Sequence, residues 1–351
     1  MSIARTVASV AVLATTVISS AMAAAAQYPL TYSIVSRISG SGRSWDYAVI
    51  DEDSNRLYLA QQGVTALDLK AGAITTGLVA GKMTHGVAVL GGGKIAVDDA
   101  ANKTIVVFNG ADGEIVSTIP TAQYNPVNGN HALDAMTVEP TSGLLIAVNG
   151  ESGLLLLVDT NQAKVVGTIA IGGHPESAAA DGMGRVYVNV ERGRATQIVA
   201  VDIASRKVVQ KIHLIGCEGP TGLVYDQGDD LLISVCGDNG VTKFIHPKGG
   251  HEVASLNVGK GADAVMFDPQ RHRAFIASAD DGTLGVIAVR SPADIAVVQT
   301  LATQKGTRLG AVDSASGRVY LPAAKFGPPV PPVPYPSVLP GSFEILVVAP
   351  N

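Results

Sequence analysis

Trp45-Asp46-Tyr47-Ala48-Val49-Ile50-Asp51 can be laid over Thr84-His85-Gly86-Val87-Ala88-Val89-Leu90 and over Leu133-Asp134-Ala135-Met136-Thr137-Val138-Glu139. Four more segments fit beneath them: Pro175-Glu176-Ser177-Ala178-Ala179-Ala180-Asp181, Pro220-Thr221-Gly222-Leu223-Val224-Tyr225-Asp226, Ala262-Asp263-Ala264-Val265-Met266-Phe267-Asp268, and Thr307-Arg308-Leu309-Gly310-Ala311-Val312-Asp313. Their second members fall at 46, 85, 134, 176, 221, 263 and 308, at intervals of 39, 49, 42, 45, 42 and 45 residues. Self-similarity at a period of roughly 20 to 50 residues marks a repeat architecture, in which one supersecondary unit is stacked on the next.

Working outward, each segment is followed by a polar or glycine-containing turn and a short apolar run, as at 56–60, 94–97, 185–189, 273–277 and 318–321. A second run closes near Asp in several repeats (154–159, 197–202), and a third follows (164–171, 207–214, 252–258). Short runs rich in Val and Ile, separated by turn residues, read as antiparallel strands joined by hairpins. Four strands in each of seven repeats predict an all-β chain folded as a seven-bladed β-propeller, which protects its sheet edges by closing into a ring. The last repeat has three strands only, at 308–312, 318–321 and 343–348, while Tyr32-Ser33-Ile34-Val35-Ser36-Arg37-Ile38 has the pattern of a fourth strand and precedes the first repeat. The N-terminal strand is therefore expected to complete and close the last blade.

The 351 residues are 47% hydrophobic and 16% charged, with 39 Gly and 18 Pro, a balance that argues against disorder and for a turn-rich β protein. Lys and Arg number 25 against 30 Asp and Glu, a formal net charge of -5, which disfavours nucleic acid or anionic lipid as a partner. Residues 1–26 run from Arg5 through an apolar stretch at 7–18 to the small residues Ser19, Ser20, Ala21 and Ala23. That order is the pattern of a secretory signal peptide, leaving a propeller over 27–351. Elsewhere no uninterrupted apolar stretch reaches about 18 residues, so membrane insertion is not expected. The destination is periplasmic or secreted, and the protein is expected to be a monomer. The two cysteines, Cys217 and Cys236, lie in the exported part. A hairpin of 222–226 with 231–236 would set Cys236 opposite Thr221, near enough to Cys217 for a disulfide across its mouth; two buried thiols are the alternative.

Val186-Tyr187-Val188-Asn189, with the repeated form Val-Asp-x-x-x-x-Lys-Val-Val-x-x-Ile at 158–169 and 201–212, resembles the YVTN-repeat β-propellers of exported bacterial proteins. The resemblance spans nearly all of residues 30–350 and implies a fold and an exported location. No repeat carries the full Tyr-Val-Thr-Asn tetrad, and that family shares no single activity, so the chemistry stays open. The sole Trp, Trp45, stands in the wrong strand for a WD40 signature.

In a propeller the first strand of every blade lines the central channel. The seven aligned positions, Asp46, His85, Asp134, Glu176, Thr221, Asp263 and Arg308, should therefore meet at the channel mouth. Like charges crowded around one axis raise one another's pKa unless protons, water with counter-ions, or a bound cation compensate. Asp46, Asp134, Glu176 and Asp263 could hold one divalent ion: Ca²⁺ or Mg²⁺ by oxygen ligation, or Zn²⁺ with His85. Propeller hydrolases of the lactonase type use a comparable arrangement. The alternative is a hydrated channel whose side chains satisfy backbone groups and water. His131, closing the excursion 120–131, and His174 could join His85 in a three-histidine site for Zn²⁺ or Cu²⁺. His213, His246, His251 and His272 read as structural or exposed.

Seven prolines within residues 326–341 are expected to exclude sheet and favour polyproline II, forming a stiff lid, docking element or insertion beside Arg308. Gly-x-Ser-x-Gly, a phosphate-cradling loop and Cys-x-x-Cys-His are all missing. Glu139 and the Asp residues that close most first strands read as turn caps on the opposite face. Two functions follow: a module binding a small molecule or a protein at the channel mouth, or a metal-assisted hydrolase or lyase in the channel, where the cation polarises a carbonyl and a carboxylate or His85 moves the proton.

Overall fold

The computed structural model describes residues 30–124, 133–191, 196–329 and 336–351. Residues 1–26, expected from the sequence to be a signal peptide, and His131 lie outside them. Apolar β-branched runs become strands, and seven four-stranded antiparallel sheets result. Blade one consists of Ala48–Asp51, Arg56–Ala60, Gly63–Asp68 and Ile74–Ala80, paired in that order. Blades two to six repeat the meander. First strands neighbour one another from blade one round to blade seven and back to blade one, so the ring is closed.

Position within a blade dictates strand composition. Second and third strands are covered on both faces by adjacent blades, so Leu154–Asp159 reads as the continuous apolar run LLLLVD and its Leu155, Leu156, Leu157 and Val158 are fully buried. Outer strands face solvent on one side, and Lys207–His213 alternates accordingly. Near the axis the first strands approach backbone to backbone. A Cβ on Gly86 would lie 2.1 Å from the Asp134 carbonyl oxygen, and one on Gly222 would lie 2.6 Å from Ala264 Cα. The carboxylates that close first strands cap turns, as expected: Glu139 accepts the N–H groups of Thr141 and Ser142, and Asp268 those of Gln270 and Arg271.

Blade seven is assembled from both ends of the fold. Ala311–Asp313, Arg318–Ala323 and Glu344–Pro350 are completed by Tyr32–Ser39, which pairs along Glu344–Pro350 from Ser39↔Glu344 to Tyr32↔Pro350. Tyr32 anchors the closure. Its backbone exchanges two 2.8 Å hydrogen bonds with the Gln299 side chain of blade six, and its buried ring meets Phe275 edge-on at 5.0 Å.

Two local expectations change. Residues 326–341 do contain sheet, because Phe326–Pro329 pairs with Pro336–Val338 through Phe326↔Val338 and Pro329↔Pro336. A two-stranded ribbon leaves one edge of each strand unpaired, where proline's missing N–H costs nothing. Cys236 stands opposite Pro220 rather than Thr221, because the pairing slips at a bulge between Pro220 and Leu223. The Cys217–Cys236 disulfide forms across this hairpin mouth, with Cα atoms 5.2 Å apart.

Deleting residues 30–40 removes an edge-closing strand and the Tyr32 anchor, so the shortened protein should lose cooperative thermal unfolding; a native-like melting curve would contradict the closure. Replacing both cysteines with Ala releases a loop of sequence separation 19 and should lower stability by about 3 kcal/mol, measured by denaturant unfolding.

Candidate functional site

Residues that open or immediately precede the first strands converge on the axis. A cavity of about 140 Å³ between these strands is lined from all seven blades, by Tyr47, Val87, Met136, Ser177, Leu223, Ala264 and Gly310 among others. Above it lie the charged positions. Arg308 joins three blades: its Nε is 2.5 Å from Asp263 Oδ2 of blade six, while its Nη2 lies 3.8 Å from Asp46 Oδ2 and donates to the Trp45 carbonyl of blade one at 3.0 Å. The Asp263 N–H donates in turn to the Arg308 carbonyl at 2.9 Å. Arg308 thus brings one positive charge of the chain itself to two of the ring's carboxylates.

Burial and crowding set the ionisation of the ring. Burial pushes the Asp46 carboxyl up from 3.8 to about 7, against the opposing pull of Arg308. Burial also raises Asp134 well above the carboxylate range, and the charges of Asp46, Glu176 and Asp263 reinforce that shift. Asp263 is raised too, chiefly by burial, although Arg308 restrains it. Arg308 is lowered by burial but raised more by Asp263 and Asp46, which fixes its positive charge. Tyr47 is driven up by burial and by the carboxylates of Asp134, Asp263, Asp46 and Glu176, so its hydroxyl stays protonated at the channel neck.

His85 is held differently. Its N–H and that of Gly86 donate to Asp98 Oδ1 at 2.7 and 2.8 Å, and its Nδ1 lies 3.5 Å from Asp98 Oδ2. Burial pulls the imidazole pKa down, but the hydrogen bond and charge of the fully buried Asp98 outweigh it and the net shift is upward. His174 and Glu176, two apart on one strand face, pair at 2.7 Å, and this bond raises the His174 pKa. The Thr221 hydroxyl donates to the Ala262 carbonyl at 2.7 Å and bridges blades five and six. Among the described residues no three of His, Cys, Asp or Glu are grouped to hold a metal ion; Asp46, Asp134, Glu176 and Asp263 surround the mouth without converging on one point.

Sequence reasoning did not single out Asp98, Tyr47, Arg43 or Trp45 for the site. Asp98 comes from the end of a second strand, where the adjacent pair Asp98-Asp99 in an apolar run was the available signal. Trp45 and Arg308 form a partition between two clefts. One, of about 390 Å³, lies toward Gln61, Gln62, Met83, Thr84 and His85; the other, of about 520 Å³, lies toward Arg43, Phe326 and the proline hairpin.

The raised carboxylates make stability fall with pH. A carboxyl whose pKa is higher folded than unfolded binds its proton more tightly in the folded state, so stability is greatest at low pH and declines from about pH 4 through about 7 for Asp46. His85, also raised, loses its stabilising contribution in the same direction as pH climbs through its folded pKa. The Tm should therefore drop between pH 5 and pH 7.5. Asp46→Asn and Asp134→Asn should each flatten that drop, by an amount on the order of a few kcal/mol at most. Parallel pH profiles for variants and parent would contradict this electrostatic account.

No family model matches the chain, and no curated protein matches it. Among solved structures, a chain of Kuenenia stuttgartiensis hydrazine synthase superposes with TM-score 0.66 at 14% identity, covering 78% of this chain and 91% of that one. A chain of a mitotic checkpoint complex superposes with TM-score 0.69 at 12% identity, covering 89% and 95%. At such identities the likeness establishes the architecture: this chain has the seven-bladed β-propeller fold.

Proposed function

We propose that the protein is an exported binding module, periplasmic or secreted after removal of residues 1–26, that receives its ligand at the channel mouth. The observation that carries this reading is the Arg308 junction with Asp46 and Asp263, set between two clefts. A ring of carboxylates held away from its ordinary ionisation lowers stability, and such arrangements concentrate at functional sites. Arg308 supplies positive charge to Asp46 and Asp263, a pairing that favours the binding reading over metal-assisted hydrolysis. The disulfide is consistent with an oxidising compartment. Asn189 lends support to kinship with the YVTN-repeat proteins: within the strand Arg185–Glu191, as the last residue of Val-Tyr-Val-Asn, it donates from Nδ2 to the carbonyls of Thr221 and Gly222 and so ties one blade to the next.

The methionines distinguish the faces. Met83 lines the mouth, Met136 the channel, and Met183 is exposed on a turn of the opposite face. In a fragment screen read by methyl NMR of ¹³C-labelled methionine, ligands should shift Met83 and leave Met183 unmoved. Hits that move Met183 alone, or a screen that never moves Met83, would overturn the assignment of the binding face.

A further inference from the structure

The larger cleft at the mouth has walls of contrasting chemistry. Its volume of about 520 Å³ falls within the range of small-molecule pockets. Arg43 and Arg308 contribute guanidinium groups, while Trp45, Phe326, Pro336, Val338 and Pro340 contribute apolar surface; no Asp or Glu lines it. Arg308 is shared with Asp46 and Asp263, but no carboxylate among the described residues pairs with the exposed Arg43. Trp45 is only 6% exposed, and its indole N–H is buried without an acceptor among the described residues.

The walls of the cleft are also braced by contacts with one another and with the fold. Phe326 rests on Gly306, where a Cβ would stand 2.1 Å from its Cε2, and its ring lies 6.1 Å from that of Trp45. Trp45 is backed in turn by Phe343 at 5.3 Å. The proline hairpin is pinned at its base, where the Leu339 N–H donates to the Lys325 carbonyl at 2.8 Å and the Lys325 N–H donates to Ser342 Oγ at 3.1 Å. Walls fixed in this way lose little conformational freedom on binding.

We infer that this cleft binds a hydrophobic carboxylate, its head on the guanidinium of Arg43 with Arg308 behind it, and its aliphatic or aromatic body against Phe326, Pro336, Val338 and Pro340. A guanidinium presents paired N–H donors that match a carboxylate in two parallel hydrogen bonds, and beyond Ser44 and Ser337 the remaining walls are apolar and suit a hydrocarbon body. The inference rests on the reading of the channel mouth as the binding face and adds the ligand class to it.

Trp45 is the sole tryptophan, so its fluorescence reports the two clefts it separates, and the Arg43 and Phe326 variants, which alter the larger cleft only, assign the signal to it. Titration of the mature protein with octanoate, which absorbs no exciting light, should change Trp45 emission saturably, whereas octylamine should not. Arg43→Ala should weaken octanoate by about tenfold to a hundredfold, the loss expected for a charge-assisted pair, and Arg43→Lys by less. Phe326→Ala should weaken it as well, with the melting curve of each variant confirming that it folds. No saturable response to octanoate, equal binding of octylamine, or unchanged affinity in Arg43→Ala would each overturn the ligand class. If Met83 still responds to fragments while octanoate fails, only the ligand class falls; if neither probe binds at the mouth, the binding face falls with it.

Discussion

A ring of sheets is stable only if it has no open seam, and here the seam is closed by pairing the first described strand with the last. Tyr32–Ser39 runs along Glu344–Pro350, so blade seven exists only when two segments more than three hundred residues apart have met. Every other blade is a local meander that can form from consecutive strands. The conformational cost of closure thus falls on one junction, reinforced by the reciprocal Tyr32–Gln299 bonds and the Tyr32–Phe275 contact with blade six.

The same seam is fastened a second time at the axis. Arg308 belongs to blade seven, yet it reaches Asp263 on one side and the Trp45 carbonyl and Asp46 on the other. Three consecutive blades are therefore tied by one guanidinium at the point where the ring closes. The arrangement also explains how carboxylates can crowd a narrow channel: Asp46 and Asp134 hold their protons more tightly than usual, and Arg308 supplies fixed positive charge. Both clefts at the mouth share Ser44, Trp45 and Arg308 as a common wall, so whatever enters either one meets the element that holds the ring together.

Blade count, strand order and the shared last blade were legible in the sequence because each rests on a local and repeated signal: apolar runs of strand length, turn residues between them, and one carboxylate closing most first strands. The convergence of Asp46, Asp263 and Arg308 followed from that topology alone. What was not legible lies where no repeat operates. Asp98 reaches His85 from a neighbouring strand of its own blade, and the Pro220 bulge that sets Cys236 one residue out of register is invisible to a pattern of alternation. Arg43, Trp45 and Phe326 belong to connecting segments brought together only by closure, and the prolines of 326–341 masked a ribbon that needs hydrogen bonding along one edge only.

The pairing of Tyr32 with Pro350 and of Ser39 with Glu344 orients the terminal strands as well as joining them. Ser39 and Glu344 lie beside the proline hairpin, whereas Asn351 donates its N–H to the Thr31 carbonyl at the far end of the same two strands, roughly 20 Å away. Entry to and exit from the ring are thus side by side on the underside of the disc. A support attached at Asn351 would leave the upper surface facing outward, like a cup standing on its base.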